Sequence, residues 1–194
     1  MNGASLRRWG WIALAVVLML IFARLCVRIV PADGPAADSA PSLSRADGEG
    51  GALLIPVEGV RADALVDTYS QSRAEGRRAH DAIDIAAERG APVLAAADGQ
   101  VEKLFWSQDG GRTLYERSVD GRTLYYYAHL DSYAPGLREG ARLRRGQRIA
   151  TVGSTGNADP AAPHLHFAVH AVAPRDRWYE GRAVNPYPLL TRGR

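Results

Sequence analysis

VEKLFWSQDGGRTLYERSVDGRTLYYYAHL, residues 101–130, decides the fold class. Three β-type runs, VEKLFWS at 101–107, RTLYERS at 112–118 and RTLYYYAHL at 122–130, are separated by Asp109-Gly110-Gly111 and Asp120-Gly121. Asp-Gly pairs tolerate the positive φ of tight hairpins, so the stretch predicts an antiparallel meander. Downstream, QRIATVG at 147–153 and HLHFAVHA at 164–171 predict two more strands, and Pro186 and Pro188 close the region. From Leu53 onward no window keeps a helical period long enough to compete. The expected fold is mostly β.

Upstream of Leu53 the chain changes character twice. Residues 9–23, WGWIALAVVLMLIFA, are 15 positions without a charge, short of the roughly 20 that a spanning helix needs. Arg24 and Arg28 lie four apart, on one helical face. Their stems can snorkel to an interface while Leu25, Val27 and Ile29 extend the apolar surface, and Trp9 and Trp11 suit the opposite interface. A cleaved signal peptide would have small residues directly after its apolar core, where Arg24, Leu25 and Arg28 stand. These features predict an uncleaved transmembrane anchor over 9–30. Two Arg on each side nearly cancel under the positive-inside rule; the N-terminal amine tips the balance. Residues 1–8 are then cytoplasmic and the C-terminal part is extracytoplasmic (periplasmic in a Gram-negative cell). Residues 31–52, rich in Pro, Ala, Gly, Ser and Asp, predict a flexible linker.

The chain of 194 residues has 24 basic and 21 acidic groups. Four of the basic ones, Arg7, Arg8, Arg24 and Arg28, flank the apolar run, which leaves 20 against 21 for the rest. A nucleic-acid binder would carry a basic surplus in its folded part, so no nucleic-acid partner is expected. Cys26 is the only cysteine and reads as a packing residue. It closes no intramolecular disulfide and supplies no thiolate cluster, so a metal would be held by His and carboxylate.

Five histidines stand at 80, 129, 164, 166 and 170. In PHLHFAV, side chains alternate across a strand, so His164 and His166 share one face and Leu165 and Phe167 the other. HDAID carries His80 and Asp84 four apart, about 13 Å in an extended strand, too far for one ion; the backbone must bend between them if both are to reach it. In YYYAHL, alternation puts Tyr125, Tyr127 and His129 on one face and Leu124, Tyr126, Ala128 and Leu130 on the other. Packing is the favoured role for Tyr127, and His170 reads as structural.

HDAIDIAAERGAPVLAAADGQV, YYYAHL, VGSTGN and PHLHF, in this order and spacing, resemble the lysostaphin-like or LytM-type zinc endopeptidases that cut peptidoglycan peptides. The likeness covers about residues 53–190 and leaves 191–194 as a tail. It implies a compact antiparallel β-sheet groove with one Zn2+ at its floor, held by His80, Asp84 and His166 with a fourth position open to water. It assigns His129 and His164 to catalysis without saying which is the base, and it names no substrate-binding residue. The implied activity is hydrolysis of stem or cross-link peptides by metal-activated water. The alternative is a non-catalytic regulator resembling LytM-type activators of cell-wall amidases. Departures fall in DTYSQSRAEGRRAH, residues 67–80, and in PAAP before HLHF; they bear on substrate preference rather than on the metal ligands.

Overall fold

The computed structural model describes residues 53–73 and 78–192. The expected anchor over 9–30 and linker over 31–52 lie outside them. Among the described residues, no helix is long and apolar enough to cross a membrane.

In chain order the strands are β1 (Ser72–Arg73), β2 (Arg78–Ala79), β3 (Ile83–Ala86), β4 (Pro92–Leu94), β5 (Gly99–Ser107), β6 (Gly111–Ser118), β7 (Thr123–Tyr133), β8 (Arg142–Leu143), β9 (Arg148–Val152), β10 (His164–Ala171) and β11 (Arg182–Val184). The expected meander is present, β5 pairing with β6 and β6 with β7, all antiparallel. β10 lies along β7, and its other edge takes β3 and then β11. β9 continues the pairing along the second half of β7 and carries β4. β1 and β2 form a separate two-stranded ribbon. One helical turn, α1 (Tyr187–Thr191), follows Pro186 with Pro188 in its first turn, where a missing N–H costs nothing. Its Leu190 is fully buried, and Leu189 O accepts from Leu53 N, so both ends of the described fold meet.

Alternation explains the two faces. Leu165, Phe167 and Val169 of β10 point into the core, as do Tyr125 and Tyr127 of β7 and Leu114 of β6. Each large apolar side chain buried there contributes about 1.5–3 kcal/mol. Glu116 of β6 also points inward and is fully buried. The Tyr127 hydroxyl donates to its Oε2 at 2.5 Å and accepts from the backbone N–H of Ala96, while Oε1 has no hydrogen-bond partner. Burial, joined by the Asp98 charge and opposed by the Tyr127 hydrogen bond, pushes the Glu116 carboxyl up to about 8. Tyr127 is thus a core residue, in line with the packing role.

Strict alternation fails at His129. Arg112 pairs with Leu130 and Leu114 with Tyr127, so β7 has one residue more than β6 between these pairs. This is a β-bulge, and His129 sits in it with φ 58. The bulge turns His129 away from the Tyr125–Tyr127 face and onto the face of Tyr126 and Ala128, contrary to the expected grouping.

Candidate metal centre and groove

Asp81 takes a left-handed conformation, φ 57, directly after His80. That kink supplies the bend the four-residue spacing demands. Asp84 then stands opposite His166 in the β3–β10 register, and His166 stands opposite Ala128 on β7, next to His129. Cross-strand neighbours of this kind are about 5 Å apart, so three strands deliver four of the groups.

His80 Nε2 lies 2.9 Å from Asp84 Oδ1 and 3.1 Å from His166 Nδ1, and His166 Nδ1 lies 3.2 Å from Asp84 Oδ1. Ligands about 2.0 Å from a tetrahedral zinc ion are about 3.3 Å from one another. The three donor atoms are therefore close to ligand spacing as they stand, and they could hold one metal ion. Two nitrogens and one oxygen suit zinc, leaving a fourth position for water or substrate.

Backbone carbonyls orient the imidazoles. Nδ1–H of His80 donates to Thr68 O at 2.9 Å, that of His129 to Thr155 O at 2.8 Å, and that of His164 to Ala162 O at 2.9 Å. A carbonyl only accepts, so in each ring the proton is on Nδ1 and Nε2 carries the lone pair. Thr68 also buttresses Asp84, whose backbone N–H donates to Thr68 Oγ1 at 3.0 Å. His164 Nε2 is 3.8 Å from Asp84 Oδ1, and the His129 ring is 5.0 Å from that of His164 and 5.6 Å from that of His166. The five groups expected from the sequence thus stand together.

Burial raises the affinity of Asp84 for its proton, but the His166 and His80 imidazoles beside it outweigh this and hold the carboxyl well below its ordinary range. Burial lowers His129 to about 4 and also lowers His166 and His170. His129 is thus neutral at ordinary pH.

These groups line a groove of about 660 Å³. Tyr115, Tyr126 and His170 line it too, as do Asp81 and Asn157. His170, read as structural from the sequence, lies on the groove face two residues beyond Ala168. Tyr126 follows from alternation once the bulge is known, and Tyr115 stands opposite it on β6. Gly110 lets the Tyr126 hydroxyl approach: a Cβ on residue 110 would lie 2.3 Å from it. Gly110 O in turn accepts from the N–H of His129 at 2.8 Å.

Residues 78–186 match the model of Peptidase family M23. The chain is 36% identical over 120 residues to an L-Ala--D-Glu endopeptidase of Bacillus subtilis, covering 59% of this chain and 35% of that protein. It is 31% identical over 135 residues to the murein hydrolase activator NlpD of Escherichia coli, covering 70% and 30%. It thus spans about a third of the length of each. The catalytic domain of lysostaphin from Staphylococcus simulans shares its fold at 28% identity with a TM-score of 0.54, covering 65% of this chain and 90% of that one.

Proposed function

The chain belongs to peptidase family M23, and on that premise we propose that it is a zinc-dependent endopeptidase that hydrolyses stem or cross-link peptides of peptidoglycan. The observation that supports this most is the approach of His80 Nε2, Asp84 Oδ1 and His166 Nδ1 to within 2.9–3.2 Å of one another, beside two further imidazoles. When bound, zinc supplies Lewis acidity toward the scissile carbonyl and an acidified water.

The chain's own groups then manage charge and protons. His129, neutral and with its lone pair on Nε2, accepts a proton from the attacking water and returns it to the leaving amine. His164, whose Nε2 lone pair faces the same centre beside the His129 ring, shares in moving that proton. Thr68, Thr155 and Ala162 hold the rings through backbone carbonyls, so little reorganisation accompanies the reaction. The domain over 53–190 is proposed to work outside the cytoplasm, tethered by residues 9–30 through the linker 31–52. The apolar run supports this, and so do relatives whose names place their action on murein.

The likeness to NlpD favours a second reading, a regulator of other wall hydrolases without activity of its own. Retention of all five polar groups in one place weighs for the enzyme. Incubating the full chain and zinc with intact sacculi, followed by mass spectrometry of released fragments, separates the two. New peptide termini support hydrolysis; none, together with stimulation of an added amidase, supports the regulator.

A further inference from the structure

An aromatic wall leads away from the metal donors. The Tyr126 ring is 5.9 Å from that of His166, Tyr115 is 4.6 Å from Tyr126, Trp178 is 4.9 Å from Tyr115, and Phe105 is 5.3 Å from Trp178. Phe105 and Tyr115 share one sheet face, since Tyr115 pairs with Lys103 and Phe105 with Thr113 on the neighbouring strand. None of Phe105, Tyr115, Tyr126 and Trp178 belongs to the main core cluster, and Phe105 is 40% exposed. Packing alone does not account for four aromatic rings in a row continuous with the groove.

The wall is held rigid. Arg117 donates to Asp176 O at 2.8 Å and to both carboxylate oxygens of Glu102, which fastens the β10–β11 connection carrying Trp178 to the sheet. Asp176 Oδ2 accepts from Ala173 N–H within that connection. A ligand stacking on Trp178 therefore meets a preorganised surface. The neighbouring charges Lys103 and Arg117 are paired with Glu139 and Glu102, so the wall offers apolar faces and tyrosine hydroxyls rather than net charge.

We propose that Trp178, with Tyr115 and Phe105, stacks against a saccharide ring of the glycan strand from which the substrate peptide hangs. The proposal rests on the peptidoglycan reading above. A pyranose presents polarised C–H groups on its face and hydroxyls at its rim, and the negative face of an aromatic ring attracts the former. An apolar peptide side chain would be better served by a closed pocket than by this row of tilted rings, at whose end Phe105 is 40% exposed. The reach also fits: Trp178 is three ring steps from His166, about 15 Å at most, the span of four to five extended residues. A peptide bond lying at the metal donors then leaves the sugar end of a short stem at the wall.

The test uses the detergent-solubilised full chain and the peptide-free tetramer of N-acetylglucosamine, with tryptophan fluorescence and calorimetry. Saturable binding is expected. Trp178→Ala should raise Kd at least tenfold, Trp178→Phe should restore most of the affinity, and Trp106→Ala, which removes a ring outside the wall, should leave it unchanged. Tyr115→Ala gives a second, independent loss, and circular dichroism melts report the fold of each variant. Absence of binding by the parent chain, or parental affinity in Trp178→Ala and Tyr115→Ala, overturns the proposal. Failure of the endopeptidase reading shows itself separately, as sacculi that release no peptide while the tetramer still binds.

Discussion

Replacing Glu116 by Gln should change the pH dependence of stability more than stability itself. The carboxyl is carried from 4.5 to about 8, chiefly by burial. A raised carboxyl takes up protons in the folded state that the unfolded chain has already released, so its contribution is complete below pH 4.5 and lost as pH rises to 8. At about 1.4 kcal/mol per pH unit, the loss is on the order of 5 kcal/mol. Glutamine cannot ionise and is free of it. An amide facing the position of Oε1 adds a constant cost of about 1–3 kcal/mol, because a buried N–H there finds no acceptor, but a constant does not bend a pH curve. Melting curves of parent and variant, recorded from pH 4.5 to 8.5, should therefore diverge. For a domain of this size 1 kcal/mol corresponds to about 3–5 °C, so the variant should gain about 15 °C or more on the parent across the range, with no further divergence above pH 8. Curves parallel to within about 1 kcal/mol would refute the assignment of a neutral, buried Glu116.

Further outcomes concern the metal centre. His166→Ala should lose zinc, whereas His164→Ala should retain it and lose turnover by about 100-fold or more; atomic absorption with a peptide-release assay reads both. Thr68→Val removes the hydroxyl that accepts from Asp84 N–H and should weaken zinc binding about 10–100-fold, measured by competition with a chelating dye. His129, lowered to about 4 by burial, should titrate well below the ordinary imidazole value of about 6.5 in an NMR pH series. Because its folded value is below the ordinary 6.5, its neutral form supports the fold above that pH, and the support is lost as pH falls toward 4.

Much of this was legible in the residues. The Asp-Gly turns marked the meander because glycine tolerates the positive φ that Gly111 and Gly121 adopt, and the apolar-imidazole alternation of HLHF marked β10 because its two faces meet different surroundings. The HDAID spacing demanded a bend, and Asp81 makes it at φ 57. Three features were hidden. The bulge at His129 depends on how many residues of β6 lie opposite β7, a cross-strand property that alternation within YYYAHL cannot reveal. Thr68 acts through its carbonyl and hydroxyl on residues 12 and 16 positions away. Glu116 looks like an ordinary solvent-facing strand residue in RTLYERS, and only the partner hydroxyl of Tyr127 accounts for its place inside.

The long reach between His80 and His166, bridged by β3 lying along β10, also sets the timing of maturation. A chain emerging from the N-terminus offers His80 and Asp84 early, but their third companion arrives only after another 82 residues have followed Asp84. Pairings between residues so far apart in the chain carry a loop-closure cost that slows folding. The three donor atoms therefore come together only when β3 docks on β10, so an unfolded chain holds no assembled metal centre.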